Sequence, residues 1–98
     1  MNQENMQELE VFLGGTFHQD MDDPEEALRQ YIHEVDISWL KKIASIIKLF
    51  LETNLSEEEK NEIIADNAEI FFPALDMSPV EWLTSVLDTI ELHNNSIY

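Results

Sequence analysis

Apolar residues recur along this chain at intervals of three and four, the spacing that gathers side chains on one face of an α-helix. Met6, Leu9, Phe12 and Leu13 predict a first helix over residues 4–13. Gly14-Gly15 follows and reads as its stop, since glycine past a helix end takes the left-handed conformation without steric penalty. After the turn Thr16-Phe17-His18-Gln19-Asp20-Met21-Asp22, a second helix is predicted to start at Asp23. Asp23 can cap the free amides, Pro24 suits the first turn, and Glu25 and Glu26 suit the helix dipole. Ala27, Leu28, Tyr31 and Ile32 face inward before this helix ends near Val35.

The strongest amphipathic run is Leu40, Ile43, Ile46, Ile47, Phe50 and Leu51, a core helix that Asp36 can cap and Asn54 can end. Ser56 and Glu59 form a capping box for a fourth helix through Ile63 and Ile64. Residues 67–77, with Ile70, Phe71, Phe72 and Pro73, read as a loop whose aromatics turn into the core. Ser78, Pro79 and Glu81 form a second capping box, with Met77 and Trp82 at the spacing of a hydrophobic staple. The helix they open buries Trp82, Leu83, Val86, Leu87 and Ile90 and stops before a frayed tail at 94–98. No stretch alternates apolar and polar residues long enough to predict a strand. The expected fold is an all-α, compact single domain over 1–98, a bundle of about five short helices.

Length agrees with one domain and one modest core, because 98 residues bury only roughly 60–65% of their unfolded surface. Charge changes the picture more. Twenty-one Asp and Glu face five Lys and Arg, a formal net charge of −16. All five cations (Arg29, Lys41, Lys42, Lys48 and Lys60) lie between residues 29 and 60, and the stretches on either side carry acids without Lys or Arg. Such a surface repels nucleic acid and anionic membrane and attracts a basic protein, steering its approach. High negative charge also aids solubility whatever the function. With no cysteine there are no disulfides, thiolate zinc sites or cysteine nucleophile. The opening Met1-Asn2-Gln3-Glu4-Asn5 has no basic residue and no apolar run after it, so a cytoplasmic protein is expected.

Candidate chemistry is sparse. His18, Asp20, Asp22 and Asp23 suggest a metal loop, but a calcium loop from Asp20 needs glycine at its sixth position and glutamate at its twelfth, where Glu25 and Tyr31 stand. One local histidine is too few for zinc. No serine lies in a nucleophile-elbow setting, and Ser56 and Ser78 are accounted for as caps, so neither catalysis nor a cofactor is expected. An acyl carrier is the acidic helical rival, with a nucleic-acid mimic beside it. Carriers present an Asp-Ser-Leu run at a helix start, whereas this chain offers Asp76-Met77-Ser78-Pro79. Trp39, Trp82, Phe17, Phe71 and Phe72 exceed what so small a core can hold, which leaves one or two as exposed anchors.

The run Phe12-Leu13-Gly14-Gly15-Thr16-Phe17-His18-Gln19-Asp20-Met21-Asp22, followed by Pro24-Glu25-Glu26-Ala27, resembles the opening of one family of contact-dependent growth-inhibition immunity (CdiI) proteins. The closing Ser78-Pro79-Val80-Glu81-Trp82-Leu83 is similar to that family's last helix. The resemblance implies a cytoplasmic protein, not an enzyme, that neutralises the C-terminal toxin domain of a CdiA protein delivered by neighbouring cells. It also implies a toxin that is a nuclease, a ribonuclease first, with a cationic groove which an acidic monomer covers as a 1:1 heterodimer without itself touching nucleic acid or membrane.

Acids in the first turn of a helix stabilise its dipole whatever the protein does, so Glu57, Glu58, Glu59 and Glu62 carry little functional signal. Asp66, Glu69 and Asp76 escape that reading and flank Phe71 and Phe72, making these five the first expected partner-binding residues. Asp22, Asp23, Glu25 and Glu26 come second. Phe17, His18, Gln19 and Asp20 are read as scaffold, with His18 or Asp20 bonding amides of the turn.

Two predictions follow from the residues alone. Circular dichroism should give a helical spectrum that a chelator leaves unchanged; a strand-dominated spectrum or a large loss of stability on chelation contradicts it. Asp20→Ala should lower stability by about 1–3 kcal/mol, the penalty for orphaned buried donors, while the folded variant keeps its partner affinity. An unchanged melting temperature with lost binding would make the run a contact site.

Overall fold

The computed structural model describes residues 1–19 and 23–96. Among them are five α-helices: α1 (Gln3–Thr16), α2 (Pro24–Glu34), α3 (Ile37–Leu51), α4 (Glu57–Asn67) and α5 (Pro79–Ser96). A 3-10 turn, Phe72–Leu75, joins the last two, and no described residue is in a strand. The fold is all-α. Helix α3 is central, packing Leu40, Ile43, Ile46, Ile47 and Phe50 against α5 and α1. Helix α5 returns along α3 and α4, burying Trp82, Leu83, Val86, Leu87 and Ile90, while α2 rests chiefly on α1.

Local chemistry sets most boundaries. Asn2 caps α1 by accepting from Asn5 N at 2.8 Å, and Asp23 caps α2 by accepting from Glu26 N at 2.8 Å. Ser56 Oγ accepts from Glu59 N at 3.1 Å. At α5 the capping box is complete: Ser78 Oγ accepts from Glu81 N at 3.1 Å, and Ser78 N donates to Glu81 Oε1 at 2.9 Å. Those bonds, the backbone amide first, hold the Glu81 carboxyl below its usual range. Its contribution to stability is therefore present above the ordinary carboxylate pKa and fades as pH falls through the lowered one. Tertiary contacts finish the ends: Asn61 Oδ1 on α4 accepts from Val80 N at 2.9 Å, and Lys60 Nζ donates to Leu51 O at 2.7 Å, closing the end of α3.

Four expectations need correction. Helix α1 does not stop at Gly14-Gly15 but runs through both to Thr16, with Phe17 N still bonded to Leu13 O at 3.0 Å. Glycine costs up to about 1 kcal/mol apiece against alanine in a helix, and these two stand in the last turn of α1. Continuing the helix seats Phe17 at 0% exposure, which returns about 2–3 kcal/mol before any ring contacts are counted. Gly14 also lies where α1 passes α4, a β-carbon there standing 3.4 Å from Asn67 O. Asp36 occupies the N-cap position of α3 without a side-chain capping bond, and α3 ends at Leu51, three residues before Asn54. Finally, α5 does not fray at residue 94. It continues through Ser96, and Asn94 is buried beside Ala44 and Ser45 of α3.

One chain of edge-to-face rings crosses the molecule. Tyr31 of α2 meets Phe12 at 4.9 Å, Phe12 meets Phe17 at 5.6 Å, Phe17 meets Trp82 at 4.7 Å, and Trp82 meets Phe72 at 5.6 Å. Phe17→Leu keeps the apolar burial but loses two of these contacts, each worth about 0.5–1.5 kcal/mol beyond area. A loss of about 1–3 kcal/mol in urea unfolding is expected; an unchanged midpoint would show that the rings merely fill space.

Candidate partner-binding surface

The turn after α1 and the loop after α4 are stitched together, because Glu69 N donates to Phe17 O at 2.8 Å. That bond fixes the start of the aromatic loop. Phe72 then turns inward, 7% exposed, with its ring against Trp82, so its role is in the core and not at the surface. Its neighbour Phe71 points out at 74% exposure. Sequence alone could not divide this pair, since the 3-10 turn that begins between them decides which ring faces Trp82. Phe17 is fully buried, while His18 and Gln19 are exposed. Asp20 and Asp22 lie outside the described residues.

Along the chain, acids flank Phe71 on both sides. Asp66 stands exposed in the last turn of α4, where no base accompanies it. A carboxylate there opposes the dipole, at a cost of about 0.3–1 kcal/mol. Glu69 is exposed in the loop. Asp76 closes the 3-10 turn in the left-handed region, φ 54°, a conformation that Asp and Asn tolerate better than most side chains. At the start of α2 the acids are instead favourably placed. Asp23 caps, Glu25 and Glu26 lie in the first turn, and Glu26 Oε2 accepts from Arg29 at 2.6 Å.

Asp23 and Glu25 of the α2 cluster border a groove that segments far apart in sequence build together. Asp23, Pro24, Glu25 and Leu28 form one wall of a cavity of about 510 Å³, and Leu75, Met77, Trp82 and Val86 contribute to the other. Helix α2 supplies the first wall, and the end of the 3-10 turn with the start of α5 supplies the second. The groove itself was missed in the sequence. Leu75 and Met77 read there as loop and staple, and only the packing of Trp82 brings them opposite α2. Ser78, the serine an acyl carrier would need at a helix start, is engaged as the cap of α5.

Chemistry in the groove is that of recognition. Among the described residues no three His, Asp or Glu side chains converge to hold a metal ion. Away from the groove, burial pushes the Tyr31 hydroxyl up, and the bond it accepts from Trp39 Nε1 partly offsets that. No helix among the described residues is long and apolar enough to cross a membrane.

Comparison with known proteins agrees with the runs that frame this surface. No curated protein and no solved structure gives a significant match. The family model described as CdiI immunity protein matches residues 5–90, from the first turn of α1 through the buried face of α5. That span takes in the Phe17 turn, both acidic clusters and the capping box of α5, and the chain therefore belongs to the CdiI immunity protein family, whose role is to neutralise a toxin of contact-dependent growth inhibition.

Proposed function

We propose that this immunity protein acts in the cytoplasm by laying the acidic surface around Phe71 over the basic active-site groove of a nuclease toxin, the C-terminal domain of a cognate CdiA protein. A nuclease must present cations to hold phosphates, and a ribonuclease is the first reading. The acids substitute for the substrate's charge, Phe71 supplies an apolar anchor, and the start of α2, with Asp22, Asp23, Glu25 and Glu26, extends the surface. The complex is a 1:1 heterodimer in which the immunity protein touches no nucleic acid.

The observation that carries this reading is where charge has been placed against stability. In a chain of −16, Asp66 adds a carboxylate to the unfavourable end of α4, and Glu69 and Asp76 add two more beside an exposed phenylalanine. Repulsion and the helix dipole both oppose that arrangement. A basic partner reverses the sign of both costs. The α2 acids support the reading less, because capping and the dipole already account for them.

The triple variant Asp66→Asn, Glu69→Gln, Asp76→Asn tests it, Asn being chosen at 76 because it tolerates the left-handed conformation. Association with the toxin domain should slow by about tenfold or more at low salt and lose most of its salt dependence, with folding unaltered. Unchanged rates here, with a loss in Asp23→Asn, Glu25→Gln, Glu26→Gln, would move the contact to α2. Binding insensitive to salt in every variant would remove the electrostatic basis altogether.

A further inference from the structure

The groove does not end at the mouth of α2. A second cavity of about 460 Å³ lies along the same two helices, and it shares Glu25, Leu28 and Thr89 with the first. Together they form one furrow whose α5 wall runs from Trp82 to Ser96. Fourteen residues of helix rise about 21 Å, or roughly four turns. On that wall Ser85, Thr89, Leu92 and Ser96 follow at four, three and four residues, one continuous face. Leu28 and Ile32 form the opposite side, and Leu92 stands at the rim with 72% of its surface in water. A single exposed leucine is ordinary. Here Leu92 stands beside a four-turn furrow floored by the edges of Leu28, Ile32 and Val86, which are otherwise buried, and gives it an apolar rim.

We propose that this furrow receives an amphipathic helix of the toxin domain, its apolar side on Leu28, Ile32 and Leu92 and a Lys or Arg over Asp23 and Glu25. The inference rests on the immunity reading and adds a second, apolar contact to the acidic one. Three features select a helix of that chemistry. Both walls are helices with their backbone bonds satisfied internally, and no described residue offers a strand edge. An extended segment lying there would leave its own amides unpaired against apolar side chains, whereas a helix satisfies them itself. The charge at the furrow's start is negative: Asp23 and Glu25 stand on the rim, and the nearby Arg29 is already paired with Glu26. Finally, the furrow is continuous with the groove that reaches Leu75 and Met77, which lengthens the face a helix can cover.

Leu92→Arg and Thr89→Arg change exposed positions of α5 and should leave the unfolding midpoint in place, and Val11→Arg, exposed on α1 outside the furrow, serves as control. The probe is the purified C-terminal toxin domain of the cognate CdiA protein, with rates measured across a salt series. Each furrow variant should weaken the complex by about thirtyfold through faster dissociation, with little dependence on salt, and the control should bind like the native chain. Native rates in both furrow variants, alongside slowed association in the Asp66, Glu69 and Asp76 variant, would overturn the furrow and leave the acidic surface standing. Loss in the furrow variants with native behaviour in the acidic one would support the furrow and remove the acidic contact. A native chain that failed to bind the toxin domain would sink both. Hydrogen exchange of the complex reads the helix directly. The newly protected toxin segment should carry apolar residues at three- and four-residue spacing, and alternation by two would reject a helix.

Discussion

The edge of Phe17 against Trp82, 4.7 Å between ring centres, ties the turn after α1 to α5 and, through neighbouring rings, α2 to the aromatic loop. On one side Phe17 meets Phe12, which meets Tyr31 of α2. On the other Trp82 meets Phe72 at the start of the 3-10 turn. The backbone of Phe17 adds a bond of its own by accepting from Glu69 N. Helix α2 and the aromatic loop are thus held to the same spine of rings, although they lie far apart along the chain. Two glycines are tolerated inside α1 because they bring this ring to its place. The Phe-His-Gln-Asp motif is accordingly a packing device at its first residue.

Electrostatics sets a second constraint. A domain of this size has only about 5–15 kcal/mol of net stability, and a charge of −16 reduces it by self-repulsion. Much of the negative charge is arranged to soften that loss. Glu25, Glu26, Glu57, Glu58, Glu59 and Glu81 all occupy first turns, where the dipole favours them. Among the described residues two ion pairs are seen, Arg29 with Glu26 and Lys42 with Glu8, and exposed pairs contribute little. Asp66 is placed against this trend, and Phe71, five residues on, is left in water. Departures of that kind from local stability are where a sequence reveals work done on another molecule.

An immunity protein must meet its toxin before the toxin meets its substrate, and it must hold on. Long-range charge serves the first need by raising association rates, and desolvated apolar contact serves the second by slowing dissociation. In the binding mode proposed above, the acidic residues flanking Phe71 would serve the first task and the furrow between α2 and α5 the second.

Much of this was legible in the residues by themselves. Periodicity and capping chemistry determined the helices, because an N-cap serine or aspartate, an early proline and a three-four apolar spacing act within one or two turns and need no tertiary partner. Start signals at Asp23, Ser56 and Ser78 all hold for this reason. Charge pointed to a protein that binds a basic partner, and the two terminal motifs carried the resemblance to the CdiI family. What depended on distant residues was decided only in the folded chain. Gly14-Gly15 joined the last turn of α1 since the burial of Phe17 outweighed the propensity of two glycines, and Asn94 joined α5 because α3 covers it. Phe71 and Phe72 are equally apolar in sequence, yet Trp82, ten residues on, gives a neighbour to one and leaves the other to solvent. The furrow is the clearest case: its walls are separate helices, and only their packing makes Leu28, Leu75 and Leu92 parts of one surface.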